Sequence, residues 1–506
     1  MGATHPGIRV GEGIPAPVSA VRQPAKVSDV PTLIAAAVIL AIVWGPSLFW
    51  SFWVDEAITC WLAHDGPLSA IVKWQHWAGH SIVYSILASP FAGASGAWRE
   101  FVLRIPTIGA LILAAWFVYR LAEDAIGKGS GAACAVLFVF HPLTLGIGNQ
   151  ARPYAFAWAA LVASMWALYR WVSTGQRRYL AGWVIASALM FELRMLFAVV
   201  FVAQAVYLVM TLRRRWRELF VACGALAVLL LPLLPQLRML LHEAPDLSFA
   251  DKPHAEDLLA ALIPSLLLFG SGIATLAMRV CFPAPKHRPV LPATPFMVLL
   301  VVWMSFGTVL FFCLSVLSRS HLFVPRYYSF LAPAQALLLG AAGYALFGPA
   351  RAGMWSLLAI LASVGSPLGW TSAPRHGPEE LRPFMDIIQA ESRGSSLPPV
   401  FFRSEQPESD AGDWRAGISG DGYLYSPFVV YPMRNRLLPL PFHLTPAIRA
   451  HVTETIRTDL ATSNEVLFVT HDGGWIPWMA AQMQAAGFHA ETRHPNNFYV
   501  VIFRRT

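Results

Sequence analysis

About eleven long apolar runs, each near the length needed to cross a bilayer, restrict the fold of this chain more than any other feature. They fall at 31–52, 101–121, 130–148, 151–172, 178–192, 195–212, 216–237, 259–279, 293–317, 328–347 and 352–370. Hydrophobic residues make up 56% of the 506 positions and charged ones only 13%, with a mean hydropathy of +0.52. Such a chain reads as a polytopic α-helical membrane protein. Its net charge of +8 then belongs to cytoplasmic loops such as "RRRWR" at 213–217, and nucleic acid is not expected as a partner.

One stretch decides the topology. If 79–98, "GHSIVYSILASPFAGASGAW", were a full span, every later loop would be inverted. The positive-inside rule instead holds it on the outer side as a re-entrant or interfacial helix, because Lys and Arg then gather in the inner segments. This places "WVDEAI", "NQARPY" and "VPRYY" on one outer face. Residues 1–30, rich in Pro, Gly and Ala with Arg9, Arg22 and Lys26, read as a disordered cytoplasmic tail, and the run after them as a retained helix. Cys60, Cys134, Cys223, Cys281 and Cys313 make no CxxC pattern, so no disulfide framework is expected. Beyond Trp370 polar and apolar residues alternate, and 371–506 read as a soluble α/β domain on the outer face. Within it "PPVFFRS", "EVLFVTH" and "NFYVVIF" are predicted strands, and "WIPWMAAQMQAAG" a helix ended by Gly487.

The chemistry-bearing residues collect on that outer face. Asp55 and Glu56 stand side by side where the first span leaves the membrane, either as a solvated helix boundary or as a working pair. Arg99 and Arg104 in "WREFVLR", Arg152 in "QARPYAF" and Arg326 in "VPRYY" each neighbour aromatics. A guanidinium is permanently ionised and donates paired hydrogen bonds, which suits phosphate, although interfacial anchoring explains single arginines as well. Carboxylates and arginines together at a membrane face suit a lipid-linked phosphate. His64, His76 and His80 fit no zinc spacing, and "THDGGW" at 470–475 reads as a turn before a helix.

The ordered set "WVDEAITCWLAHDG", "ARPYAFAWAAL" and "FVPRYYSFLAPAQALLLGAAGYAL" resembles the GT-C membrane glycosyltransferases, nearest the branch of protein O-mannosyltransferases and lipid A aminoarabinose transferases. The resemblance covers about residues 31–370 and not the C-terminal domain. It implies transfer of a sugar from a polyprenyl-phosphate carrier to a lipid, glycan or protein acceptor outside the inner (plasma) membrane, usually with inversion. Carried over, Asp55 is the base that takes the acceptor's proton and Glu56 its hydrogen-bonding helper or a metal contact. Arg326, with Arg152 and Arg104, is expected at the donor phosphate. His80, Tyr154, Tyr327 and Arg194 are candidate substrate contacts, with a local Glu192–Arg194 ion pair as the alternative for Arg194. Where relatives often carry an acid before Arg-Pro-Tyr, this chain has Gln150, so no metal ligands are assigned. The competing classes are a transporter or flippase of lipid-linked sugars, which predicts internal repeats and broken helices, and an inactive scaffold whose tail binds glycans.

Overall fold

The computed structural model describes residues 29–74, 81–212, 215–243, 252–282, 292–317, 323–366, 380–393, 397–405, 422–495 and 497–505. The N-terminal tail, His76, His80 and the expected domain boundary at 370/371 lie outside these.

Each apolar run holds a helix, but proline and glycine break several. The first, α1 (Val30–Trp44), gives way at Gly45-Pro46 to a 3-10 turn, Pro46–Phe49. The segment expected on the outer side then folds into α2 (Val54–Ala63), α3 (Pro67–Trp74) and α4 (Ile82–Ala92). With eleven residues, α4 reaches only about 16 Å and is too short to cross a bilayer. The long α5 (Arg99–Ala125) follows. Run 130–148 splits before Pro142, whose ring and missing N–H interrupt the helix, into α6 (Gly131–Val139) and α7 (Pro142–Ile147). Next come α8 (Tyr154–Thr174), α9 (Arg177–Leu193), α10 (Val200–Thr211), α11 (Trp216–Leu230) and α12 (Leu234–Glu243). The pair α13 (Ala255–Leu262) and α14 (Ser265–Cys281) bends by 43° at Pro264. The membrane part ends with α15 (Thr294–Leu317), α16 (Pro325–Tyr328), α17 (Ala332–Phe347) and α18 (Ala352–Val364).

Five described helical stretches are long and apolar enough to cross a membrane, or six if the bent pair is one span. Four more apolar helices are shorter, among them Val30–Trp44, Met195–Thr211 and Ala352–Val364. The chain is thus a multi-pass membrane protein with several apolar spans, and some of its apolar runs are broken within, since hydropathy registers apolar length and not the breaks. Where the backbone breaks, side chains satisfy it. The Trp158 and Trp303 indoles donate to the Ser329 and Phe330 carbonyls, at 3.0 and 2.8 Å, in the turn between α16 and α17. Gln335 on α17 donates to the Ala261 and Leu262 carbonyls, both at 2.9 Å, at the end of α13. Such pairing is what irregular backbone requires at membrane depth.

The C-terminal domain comprises α19 (Arg382–Glu391), β1 (Val400–Arg403), α20 (Ser426–Val430), β2 (Leu437–Leu440) and α21 (Pro446–Thr458), then β3 (Glu465–Thr470), α22 (Trp475–Ala485), β4 (Phe488–Arg493) and β5 (Tyr499–Arg505). The sheet order is β2-β1-β3-β5-β4. β1 is parallel to both β2 and β3, while β5 runs antiparallel to β3 and β4. The three expected strands and the helix up to Gly487 are present. The edge strands β2 and β4 carry weak signals, one containing Pro439 and the other largely exposed. Alternation directs Phe402, Leu467, Val469, Val500 and Ile502 to one face, in a core continuous with the membrane helices. Phe401, Val466, Phe468, Val501 and Phe503 point the other way, into a core with residues of α21 and α22.

Candidate active site

The adjacent acids part company because successive helical residues point about 100° apart. Both lie in the first turn of α2, where the helix dipole favours negative charge. Glu56 turns inward and is fully buried. Arg104 of α5 meets it with two hydrogen bonds, Nε to Oε1 at 3.0 Å and Nη2 to Oε2 at 2.6 Å. The Ala151 N–H, just before Arg152, donates to the same carboxylate at 2.6 Å. The Arg104 Nη1 donates to the carbonyls of Ser47, Leu48 and Trp50 at 2.9 to 3.0 Å, and its guanidinium lies 5.2 Å from the Phe52 ring centroid. Arg104 was expected at a donor phosphate; its buried donors are instead committed to Glu56 and to the turn that follows α1. Glu56 and Arg104 hold the site together from behind.

Asp55 faces the cluster of arginines. Its Oδ2 lies 3.2 Å from Arg152 Nη2 and 3.3 Å from Arg326 Nη1, and its main-chain carbonyl accepts from Arg152 Nη1 at 3.3 Å. Trp53 lies 5.9 and 5.8 Å from the two guanidinium carbons. The backbone breaks deliver these side chains: Pro325 starts the short α16 that carries Arg326, and Arg152 lies in the turn between α7 and α8.

A third arginine completes the group. Arg194 follows α9 in an extended conformation and packs between Tyr154 and Tyr327, with ring-centroid distances of 4.6 and 5.4 Å. Its Nε and Nη2 are buried without a hydrogen-bond partner among the described residues. Glu192 is not bonded to it. That carboxylate accepts from Ser81 Oγ at 2.7 Å and the Val83 N–H at 3.1 Å, holding the start of α4. The local Glu192–Arg194 pair is therefore replaced by two long-range contacts. Gln150 donates to the Gly146 carbonyl at 3.4 Å. No group of three or more His, Cys, Asp or Glu set to hold a metal occurs among the described residues.

The C-terminal domain reaches this site, which the sequence did not reveal. Trp53 pairs with Glu380 as an antiparallel bridge, and the Leu381 N–H donates to the Phe52 carbonyl at 3.0 Å. The Tyr431 hydroxyl accepts from the Phe52 N–H at 3.1 Å and donates to Glu100 Oε1 at 2.7 Å. Arg382 also binds the buried Glu100. Residues 51–53, which lead into the acid pair, are clamped by the domain that follows the membrane helices.

The fold is similar to known structures. Residues 79–238 match the family model described as dolichyl-phosphate-mannose-protein mannosyltransferase. The crystal structure of ArnT from Cupriavidus metallidurans bound to undecaprenyl phosphate is similar with a TM-score of 0.58 at 12% identity, over 94% of this chain and 98% of that one. The chain has an ArnT-like GT-C fold. The apo form of the same protein gives a TM-score of 0.54, again at 12% identity and with the same coverage. The likeness includes the C-terminal domain, beyond the 31–370 of the sequence resemblance. No curated protein sequence matches the chain.

Proposed function

We infer that this chain is an integral-membrane glycosyltransferase, which moves a sugar from a polyprenyl-phosphate carrier to an extracytoplasmic acceptor with inversion at the anomeric carbon. The observation that carries the reading is one carboxylate, Asp55, held against Arg152 and Arg326 with Arg194 close by. The partial match to a family of dolichyl-phosphate-mannose enzymes and the similar ArnT fold, crystallised with undecaprenyl phosphate, support it.

The chemistry follows from charge. Without donor, Asp55 balances the nearby guanidinium groups. A phosphate arriving with its tail in hydrocarbon competes for Arg152 and Arg326 and supplies a permanent anion for Arg194 to bind. Asp55 is then released to accept the acceptor hydroxyl's proton as that oxygen attacks the anomeric carbon. The arginines stabilise the charge that develops on the departing phosphate. Glu56, Arg104 and the clamp on 51–53 keep Asp55 in place.

The test is sugar transfer and release from a panel of polyprenyl-phosphate sugars by the purified chain in nanodiscs. Asp55→Asn is expected to lower the rate about 10²- to 10⁴-fold. No turnover of any donor by folded wild type would sink the enzyme reading; equal rates in Asp55→Asn would remove Asp55 from the base role.

A further inference from the structure

A second constellation lies wholly within the C-terminal domain and shares no residue with the Asp55 cluster. β1 has a parallel neighbour on each side, β2 and β3, so the carboxyl ends of all three strands, with the residues that directly follow them, lie together at one edge of the sheet. In parallel α/β sheets such a switch point is where ligands bind. Here it is a pocket of about 360 Å³ lined by Arg403, Glu405, Phe442, His443, His471 and Asp472, with Gly473. That volume is at the small end of the range for ligand clefts.

The floor is built from buried charge. Arg403 Nη1 lies 3.2 Å from both Glu405 oxygens, Nε donates to the Phe442 carbonyl at 2.9 Å, and the guanidinium sits 4.3 Å from the Phe442 ring centroid. Both side chains are less than a tenth exposed. Burial pushes the Glu405 carboxyl above its ordinary value, against the opposing pull of Arg403 and His471. A buried ion pair is a poor way to stabilise a small domain, and charges desolvated in a cleft are a mark of binding sites. The rim is more exposed: His471 Nδ1 stands 3.9 Å from Glu405 and Asp472 Oδ2 3.9 Å from Arg403.

The lining selects a ligand class. Two carboxylates facing one space oppose an anion, and charged walls oppose an apolar guest. A cation meets the permanent charge of the Arg403 guanidinium, which already occupies the Glu405 carboxylate. An uncharged polyol fits, because each hydroxyl both donates and accepts. It can pair with carboxylate, guanidinium and imidazole while its C–H face rests on the rings of Phe442 and His443. We propose that this crevice is a saccharide-binding site that takes one uncharged sugar unit of a glycan, separate from the catalytic cluster.

Saturation-transfer NMR on the full chain in nanodiscs tests this, with the methyl glycosides of glucose, mannose, galactose and N-acetylglucosamine as probes. Wild type is expected to give saturable binding of at least one glycoside. Asp472→Asn keeps the oxygen that accepts from the Gly474 N–H at 2.8 Å and so preserves the turn; it and His471→Ala are expected to weaken binding roughly 10- to 100-fold. Donor turnover by these variants should stay within about twofold of wild type, and Asp55→Asn should bind the glycoside normally, since distant sites act independently. No saturable binding of any probe, undiminished binding by both rim variants, or binding of inorganic phosphate in place of sugar would overturn the proposal. Each of those results leaves the Asp55 reading standing, so the two failures are distinguishable.

Discussion

Asp55 and Glu56 are neighbours in the chain with opposite environments, and variants should separate them. Glu56 and Arg104 form a buried, doubly hydrogen-bonded pair, so removing one partner leaves an uncompensated buried charge. Arg104→Ala is expected to cost about 3–5 kcal/mol, read as a shift of the denaturation midpoint of the purified protein. Asp55 is partly exposed, and Asp55→Asn, which keeps a hydrogen-bond acceptor toward Arg152 and Arg326, should lower that midpoint less than Arg104→Ala does. Two buried donors of Arg194 have no hydrogen-bond partner among the described residues, and the proposed donor phosphate would satisfy them. Arg194→Ala should raise the donor KM roughly 10- to 100-fold, and Arg194→Lys should restore little, since a single ammonium cannot reproduce the planar fork between Tyr154 and Tyr327. An unchanged KM would remove Arg194 from the donor site.

Helices in this chain pack closely where side chains vanish. A Cβ at Gly340 of α17 would lie 2.2 Å from Cys134 Sγ of α6, so the two helices approach there as small residues allow in membranes. Gly340→Leu should push them apart and lower thermal stability by about 1–3 kcal/mol; an unshifted melt would show that the contact is not close. Around the site it is the short pieces that matter. The turn after α1, the break before α16 and the extended residue after α9 place Arg104's acceptors, Arg326 and Arg194. Tyr431, just after α20, ties the Phe52 N–H to Glu100. Tyr431→Phe keeps the ring and deletes that link. Loosening the approach to Asp55 is expected to lower kcat about 10- to 100-fold with little change in donor KM. A KM effect without a kcat effect would contradict a positioning role.

Across the whole molecule, the membrane helices and the C-terminal sheet share one continuous core, and both supply residues to the segment that leads into Asp55. From the Lys and Arg distribution we propose that this site lies on the outer, periplasmic face of the membrane. Cysteines introduced into a cysteine-free variant check it: Leu68→Cys should react with a membrane-impermeant thiol reagent in intact cells and Ser173→Cys should not. The reverse pattern would invert the topology. Much of this was legible in local patterns. Apolar length marks the helices, alternation and turn residues mark β1, β3 and β5, and the acid pair with "ARPY" and "VPRYY" marks the residues that meet at Asp55. These signals are local because they reflect burial period and backbone chemistry within a few residues. Side-chain partners did not follow from them. Arg104 reads like Arg152 in sequence, yet one is saturated by Glu56 and backbone carbonyls while the other faces Asp55. Arg194 lies two residues from Glu192, yet each finds its partners on other helices. The clamp joins residues more than three hundred positions apart, Tyr431 to the Phe52 N–H and the Arg382 N–H to the Ser51 hydroxyl. Which donor meets which acceptor depends on where the packed helices stop and turn, a property of the assembled fold that no short window of the chain contains.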